Sequence, residues 1–187
     1  MSKRFPQIKV EELTADTKAL GEKILGVSSI GLGGPYNLLL RSPVLGERMF
    51  ELFRYLRWNT SVPLRLNEFA ILIIGRIWRS QVEWFAHVPI ALKAGLRQAI
   101  IDDLKAKRRP HDMQADEVAV YDFVTELSTT HKVSDATFSA LRAVFSEQQV
   151  VDLTAVAGTY VTVAMLIAMS EEQVPEGKQP PFTPQDP

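Results

Sequence analysis

Apolar residues recur at helical spacing along nearly the whole chain, and no run alternates convincingly with period two. Leu13, Leu20 and Ile24 share one side of residues 10–25, which predicts an amphipathic helix. Residues 26–43, "GVSSIGLGGPYNLLLRSP", then break the periodicity. They are rich in Gly and end in Ser-Pro, so they read as a long loop with turns. The functional alternative is a loop that covers a pocket. "GLGGP" lacks the Lys-Ser/Thr that a phosphate loop needs.

Periodicity resumes over residues 44–58, with Leu45, Met49, Leu52, Phe53 and Leu56 on one side, until "NTSVP" stops it. Residues 64–79 are apolar almost all round through "FAILIIG", the pattern of a helix buried at the centre of a fold. Residues 81–94 form the next helix, with Gly95 placed to close it. A short helix over 97–107 and the loop "RRPHDMQAD" follow. Helices are then expected over 115–130, over 134–145 with Ser134 or Asp135 as cap, and over 147–169. The tail "VPEGKQPPFTPQDP" carries four prolines in its last eight residues and is expected to lie extended on the surface or on a neighbouring subunit. The pattern is that of one all-α domain over residues 1–170, with an irregular N-terminal arm and a Pro-rich tail over 171–187.

Composition narrows the function. A net charge of -1 over 187 residues gives no electrostatic footprint for nucleic acid, and "KAKRR" at 105–109 reads as a solvated helix end. The absence of cysteine excludes disulfides, thiolate metal sites and a cysteine nucleophile. The N-terminus has charge but no apolar run behind it, so no secretory signal is expected. The apolar runs at 69–75 and 160–169 are each too short to span a bilayer. The expectation is a cytoplasmic protein with neither nucleic acid nor membrane as partner.

Candidate chemistry concentrates in "RSQVEWFAHVPIALKAGL", residues 79–96. Ser80 to Glu83 spells S-x-x-E, a capping box in which Glu83 reaches back to the N-cap amide. His87 stands four residues after Glu83, on the same helix face. A charged pair among Trp84, Phe85, Val88 and Ile90 is partly desolvated, which shifts pKa values. Glu68 opens the wholly apolar helix before it and needs a partner. Two carboxylates and an imidazole suit proton transfer. They could also be Glu/Glu/His metal ligands, but one histidine is sparse for zinc or iron, and no metal or cofactor is expected.

These residues resemble the carboxymuconolactone decarboxylase family, which includes the alkylhydroperoxidase D-like thiol proteins. "RLNEFAILIIGRIWRSQVEWFAHVPIALKAGL" is similar to the family's central helix pair, and the likeness extends through "GGPYNLLLRSP", "VYDFVTELSTTHKVSD" and "VVDLTAVAGTYVTVAM". The resemblance implies an all-α, alkylhydroperoxidase D-like fold assembled as a homotrimer or homohexamer, with sites near subunit contacts. In the thiol branch two cysteines would fall at Ser80 and Glu83, with the relay glutamate at Glu68 and the histidine at His87. Both thiols are gone, so the resemblance carries no thiol peroxidase activity here.

The decarboxylase branch keeps E-x-x-x-H, which Glu83 and His87 match. It implies a cofactor-independent lyase of aromatic catabolism that takes carbon dioxide from a small lactone or carbonyl acid. His87 would be the acid/base, Glu83 would orient it, and Glu68 would be a second relay or orienting group. Arg76, or else Arg65, would bind a substrate carboxylate. Tyr36 and Asn37 of the Gly-rich segment would line the binding site. The alternative is a non-catalytic oligomeric binding or scaffold protein of the same fold.

Overall fold

Every residue from Leu66 to Arg76 is buried, and this run forms the centre of the fold. The structure, a computed structural model, describes residues 4–182. A 3-10 turn at Val10–Glu12 precedes α1 (Ala15–Leu25), α2 (Pro35–Leu39), α3 (Pro43–Trp58), α4 (Leu64–Ile77) and α5 (Gln81–Lys93). Then come α6 (Gln98–Lys105), α7 (Ala115–Thr130), α8 (Asp135–Val144) and α9 (Glu147–Ser170). No strand occurs among the described residues, so the chain is all-α as expected.

α4 packs against α5, α7 and α9, which together remove it from water. Phe69, Ile71, Leu72, Ile73 and Ile74 are all essentially unexposed. Each such side chain contributes roughly 1.5–3 kcal/mol on burial. This is why a helix apolar all round sits where it does.

The Gly-rich segment departs from the expected long loop. Residues 35–39 form the short helix α2, whose Tyr36, Asn37, Leu38 and Leu39 are buried. Pro35 at its first turn supplies a ready-made helical φ. Gly34 enters it with φ +60° and ψ −138°, a conformation essentially reserved for glycine. A Cβ on Gly34 would lie 2.8 Å from Ile30 Cδ1 and 3.2 Å from Val82 Cγ1. The glycine thus lets the segment press against the start of α5.

Two further departures concern the C-terminal third. α9 runs 24 residues and is long and apolar enough to cross a membrane by length and composition, unlike the ten-residue run read from the sequence. In the structure it packs on α2, α3, α4 and α8. The tail is irregular as expected, but Val174 and Phe182 are buried, so it joins the core rather than only covering it. Residues 183–187, which hold two of its prolines, lie outside the described residues.

Candidate functional site

The turn between α4 and α5 sets the site. Arg79 takes φ +53°, Arg79 N donates to Arg76 O at 3.2 Å, and Ser80 N donates to Gly75 O at 2.8 Å. This is the Schellman pattern that closes α4. It uses the Ser80 N–H that Glu83 would have capped. The expected capping box therefore does not form, and Ser80 makes no side-chain cap. Glu83 turns inward instead.

α2, α3, α5 and α9 enclose a cavity of about 600 Å³ whose polar lining includes Tyr36, Arg57, Glu83, His87 and Tyr160. His87 is 7% exposed and Glu83 3%. Nδ1 of His87 lies 2.7 Å from Oε2 of Glu68, which is wholly shielded from solvent on α4. The Tyr160 ring meets the imidazole edge-on, with centroids 5.0 Å apart. The ring is thus held on two sides. An ionised Glu68 requires the proton on Nδ1, which leaves Nε2 able to accept or pass on a proton.

The orienting carboxylate is therefore Glu68 and not Glu83. No hydrogen bond joins Glu83 to His87 among the described residues, and neither oxygen of Glu83 has a partner there. Burial pushes the Glu83 carboxyl up to about 8, and the nearby Ser80 hydroxyl only partly offsets this. That hydroxyl makes no hydrogen bond of good geometry. Glu83 is thus a neutral acid facing the cavity at neutral pH. Burial also raises Tyr160 well above the ordinary tyrosine value, and raises Tyr36 against the opposing charge of Arg57.

The other expected residues divide. Tyr36 lines the cavity. Asn37 does not; its Oδ1 accepts from Ile8 N at 3.1 Å and its Nδ2 donates to Phe5 O at 3.2 Å, so it fastens the N-terminal arm. Arg65 is drawn away to Asp116, at 2.6 Å, and to Glu117. Arg76 donates from Nε to Lys105 O at 2.8 Å and lies over the Phe182 ring. Among the described residues no three His, Asp or Glu side chains converge as metal donors.

Arg57 and Tyr160 were not singled out in the sequence. Arg57 sits in the last turn of α3, where a basic residue needs no reason beyond the helix dipole. It is brought to Glu68 because Asn67 Nδ2 donates to Leu56 O at 3.0 Å and to Thr60 Oγ1 at 2.9 Å, clamping α3 to α4. Tyr160 shares the spacing i, i+3, i+7 with Val163 and Ile167, all cavity-lining, which was the available signal.

No family model matches the chain, and no curated protein matches it. Solved structures do. An uncharacterized peroxidase-related protein from Ralstonia eutropha JMP134, described as an alkylhydroperoxidase AhpD core, aligns with a TM-score of 0.78 at 15% identity, over 92% of this chain and 92% of its own. A comparable uncharacterized peroxidase-related protein from Silicibacter sp. TM1040 gives 0.72 at 13%, over 94% and 92%. A protein of unknown function from Agrobacterium tumefaciens, whose description names AhpD and antioxidant defence, gives 0.67 at 21%, over 74% and 96%. The fold is AhpD-like.

Proposed function

We propose that this protein is a cofactor-independent lyase of the decarboxylase type, acting on a small lactone or carbonyl acid through a His/Glu proton-transfer site. The observation that supports the reading is the pairing of His87 with the shielded Glu68 at 2.7 Å, on the wall of a cavity of about 600 Å³. Glu83 borders the same cavity as a second proton donor, since it keeps its proton up to about pH 8.

The chemistry balances without a cofactor. The bond between the leaving carboxylate and its carbon breaks, and the electron pair passes into the conjugated lactone or carbonyl. A proton then moves to carbon from the Glu83 carboxyl, or from Nε2 of a His87 that has first taken a proton from solvent. Carbon dioxide leaves, and the donor regains its proton from solvent. General acid catalysis of this kind contributes roughly 10²–10⁴-fold. Tyr36 keeps a place as a substrate-contacting residue.

The peroxidase-related descriptions of the fold relatives do not transfer as thiol chemistry, because the chain has no cysteine. A scaffold that retained these residues only for stability would fill the space around them. The open cavity and the unpartnered Glu83 weigh against that alternative. Assembly as a cytoplasmic homotrimer or homohexamer belongs to the same proposal. Exposed Val44 and Leu45 on α3 and Val151 and Met165 on α9 offer apolar surface for it. Light scattering would read the assembly directly.

The decisive assay is release of carbon dioxide from a panel of lactone and carbonyl acids by wild type and by His87→Gln. The expected result is turnover of at least one acid, with kcat/KM lowered roughly 100-fold or more in the variant while its melting curve is retained. Equal turnover by His87→Gln overturns the reading. So does the binding of panel acids without any turnover, which would favour the scaffold.

A further inference from the structure

Arg57 is a largely but not wholly buried cation held short of its acid. Its side chain is 10% exposed and borders the cavity from the last turn of α3. Nε makes no hydrogen bond among the described residues. The closest ion-pair contact is Oε1 of Glu68 at 3.9 Å, and that oxygen is likewise unpartnered. The other Glu68 oxygen is taken by His87. A guanidinium present only to neutralise Glu68 would meet it through two bonds of about 2.7–2.9 Å. Instead the group stacks on Trp58, 4.5 Å from the ring centroid, and one side of the fork interacts with the Tyr36 hydroxyl, which leaves Nε without a bond. Aromatic stacking fixes the plane of the fork without using any of its N–H donors.

The walls define what those donors would meet. Phe53, Ile90, Val163 and Ile167 make the lining predominantly apolar, and the ionised groups near Arg57 are few because Glu83 keeps its proton. A single guanidinium in apolar walls, with Lys93 only at the exposed rim, suits one planar carboxylate on an apolar body rather than a phosphate that needs several converging cationic donors.

We infer that Arg57 anchors, through paired N–H···O bonds, a carboxylate of a small apolar ligand, and that this carboxylate is not the one lost. Decarboxylation moves charge from the leaving carboxylate onto carbon. An ion pair to that group would therefore stabilise the substrate more than the transition state. The anchored carboxylate stays through the reaction, and the product keeps it. This assignment rests on the reading of the cavity as a substrate site, and it replaces Arg76 and Arg65 as the cationic partner.

The test is calorimetric binding of benzoate and of its neutral isostere benzamide, with no turnover required. Wild type should bind benzoate at least about tenfold more tightly than benzamide. Arg57→Met should remove that preference while leaving benzamide binding unchanged, and Arg57→Lys should restore part of it. Lys93→Met, at the exposed rim of the cavity, should change benzoate binding less than about threefold. Equal affinity of wild type for the two probes overturns the assignment, as does an undiminished preference in Arg57→Met. If Arg57→Met fails to fold, the wild-type ratio and the Lys93→Met control still decide it. Benzoate selectivity without any decarboxylation would sink the lyase reading and leave the anchor standing. Decarboxylation with an unchanged KM in Arg57→Met would do the reverse.

Discussion

Nδ1 of His87 and Oε2 of Glu68 lie 2.7 Å apart, tying the middle of α5 to the early part of α4. The bond does two jobs. It holds the ring so that Nε2 is the nitrogen not bound to Glu68, and it gives a wholly shielded carboxylate its hydrogen-bonded partner.

Replacing Glu68 separates those jobs. Glu68→Gln keeps an acceptor for the Nδ1 proton but removes the charge, and is expected to fold with a loss of about 1–3 kcal/mol. Glu68→Ala leaves Arg57 and His87 facing an empty site, and should cost roughly 3–5 kcal/mol. Chemical denaturation measures both. Imidazole ¹⁵N shifts should report a single Nδ1–H tautomer in wild type and in Glu68→Gln, and a mixture in Glu68→Ala. A single tautomer in all three would show that Glu68 does not orient the ring.

Glu83 makes stability depend on pH in a definite direction. Its folded carboxyl titrates near 8, against 4.5 ordinarily, so below about 4.5 both states are protonated and no penalty exists. As pH rises through that window the unfolded chain ionises while the folded one keeps its proton, so stability falls. Above about 8 the folded group ionises too, and the loss levels off at roughly 5 kcal/mol. Glu83→Gln removes the dependence. Its Tm should match or slightly trail wild type near about pH 5 and exceed it most above about pH 8. Parallel Tm curves across that range would show that Glu83 is not a buried neutral acid.

The parts of this site that the sequence disclosed share one property: they are titratable residues inside unusually apolar helical runs. Glu68 and His87 stand out in α4 and α5 for that reason, and the helices themselves were readable from a wide apolar stripe. α5, expected over 81–94, is Gln81–Lys93. α2 was not readable, because five residues are too few to show a period and the helix is held by burial of Tyr36 to Leu39. The role of Glu83 was misread because the S-x-x-E pattern does not reveal that Gly75 O has already taken the Ser80 amide. That depends on the positive φ of Arg79. Arg65 and Arg76 were plausible cations by position, yet each is engaged by groups far along the chain. Arg57 reaches the cavity through the packing of α3, which the Asn67 clamp ties to α4.

Gly34 should be intolerant of any side chain. Its φ of +60° with ψ −138° strains an L-residue, and its Cβ would meet Ile30 and Val82. Gly31 has a similar φ of +61° but open space around it, so an added Cβ there meets no clash. Gly34→Ala is expected to lose about 1–3 kcal/mol, and Gly31→Ala less. Denaturant titration of the two variants tests this, and equal losses would mean that contact with Ile30 and Val82 carries no weight. If the segment does hold the cavity wall, Gly34→Ala should also weaken benzoate binding where Gly31→Ala does not.

Phe182 clasps the outside of the same helix pair. Its ring meets Trp84 edge-on at 5.0 Å, Arg76 lies over it at 4.8 Å, and its amide donates to Gln81 Oε1 at 3.1 Å. A core Phe→Ala change costs about 3–5 kcal/mol when the surroundings cannot relax. Here the tail has another option: it can undock as a unit, so the loss is capped by the free energy of docking. Phe182→Ala should therefore cost roughly 2–3 kcal/mol, below the core range. Amide exchange should rise sharply over residues 172–182 and only slightly in α5. Uniformly faster exchange throughout α4 and α5 would contradict local undocking, and would show that Phe182 supports the helix pair globally rather than only the tail's docking.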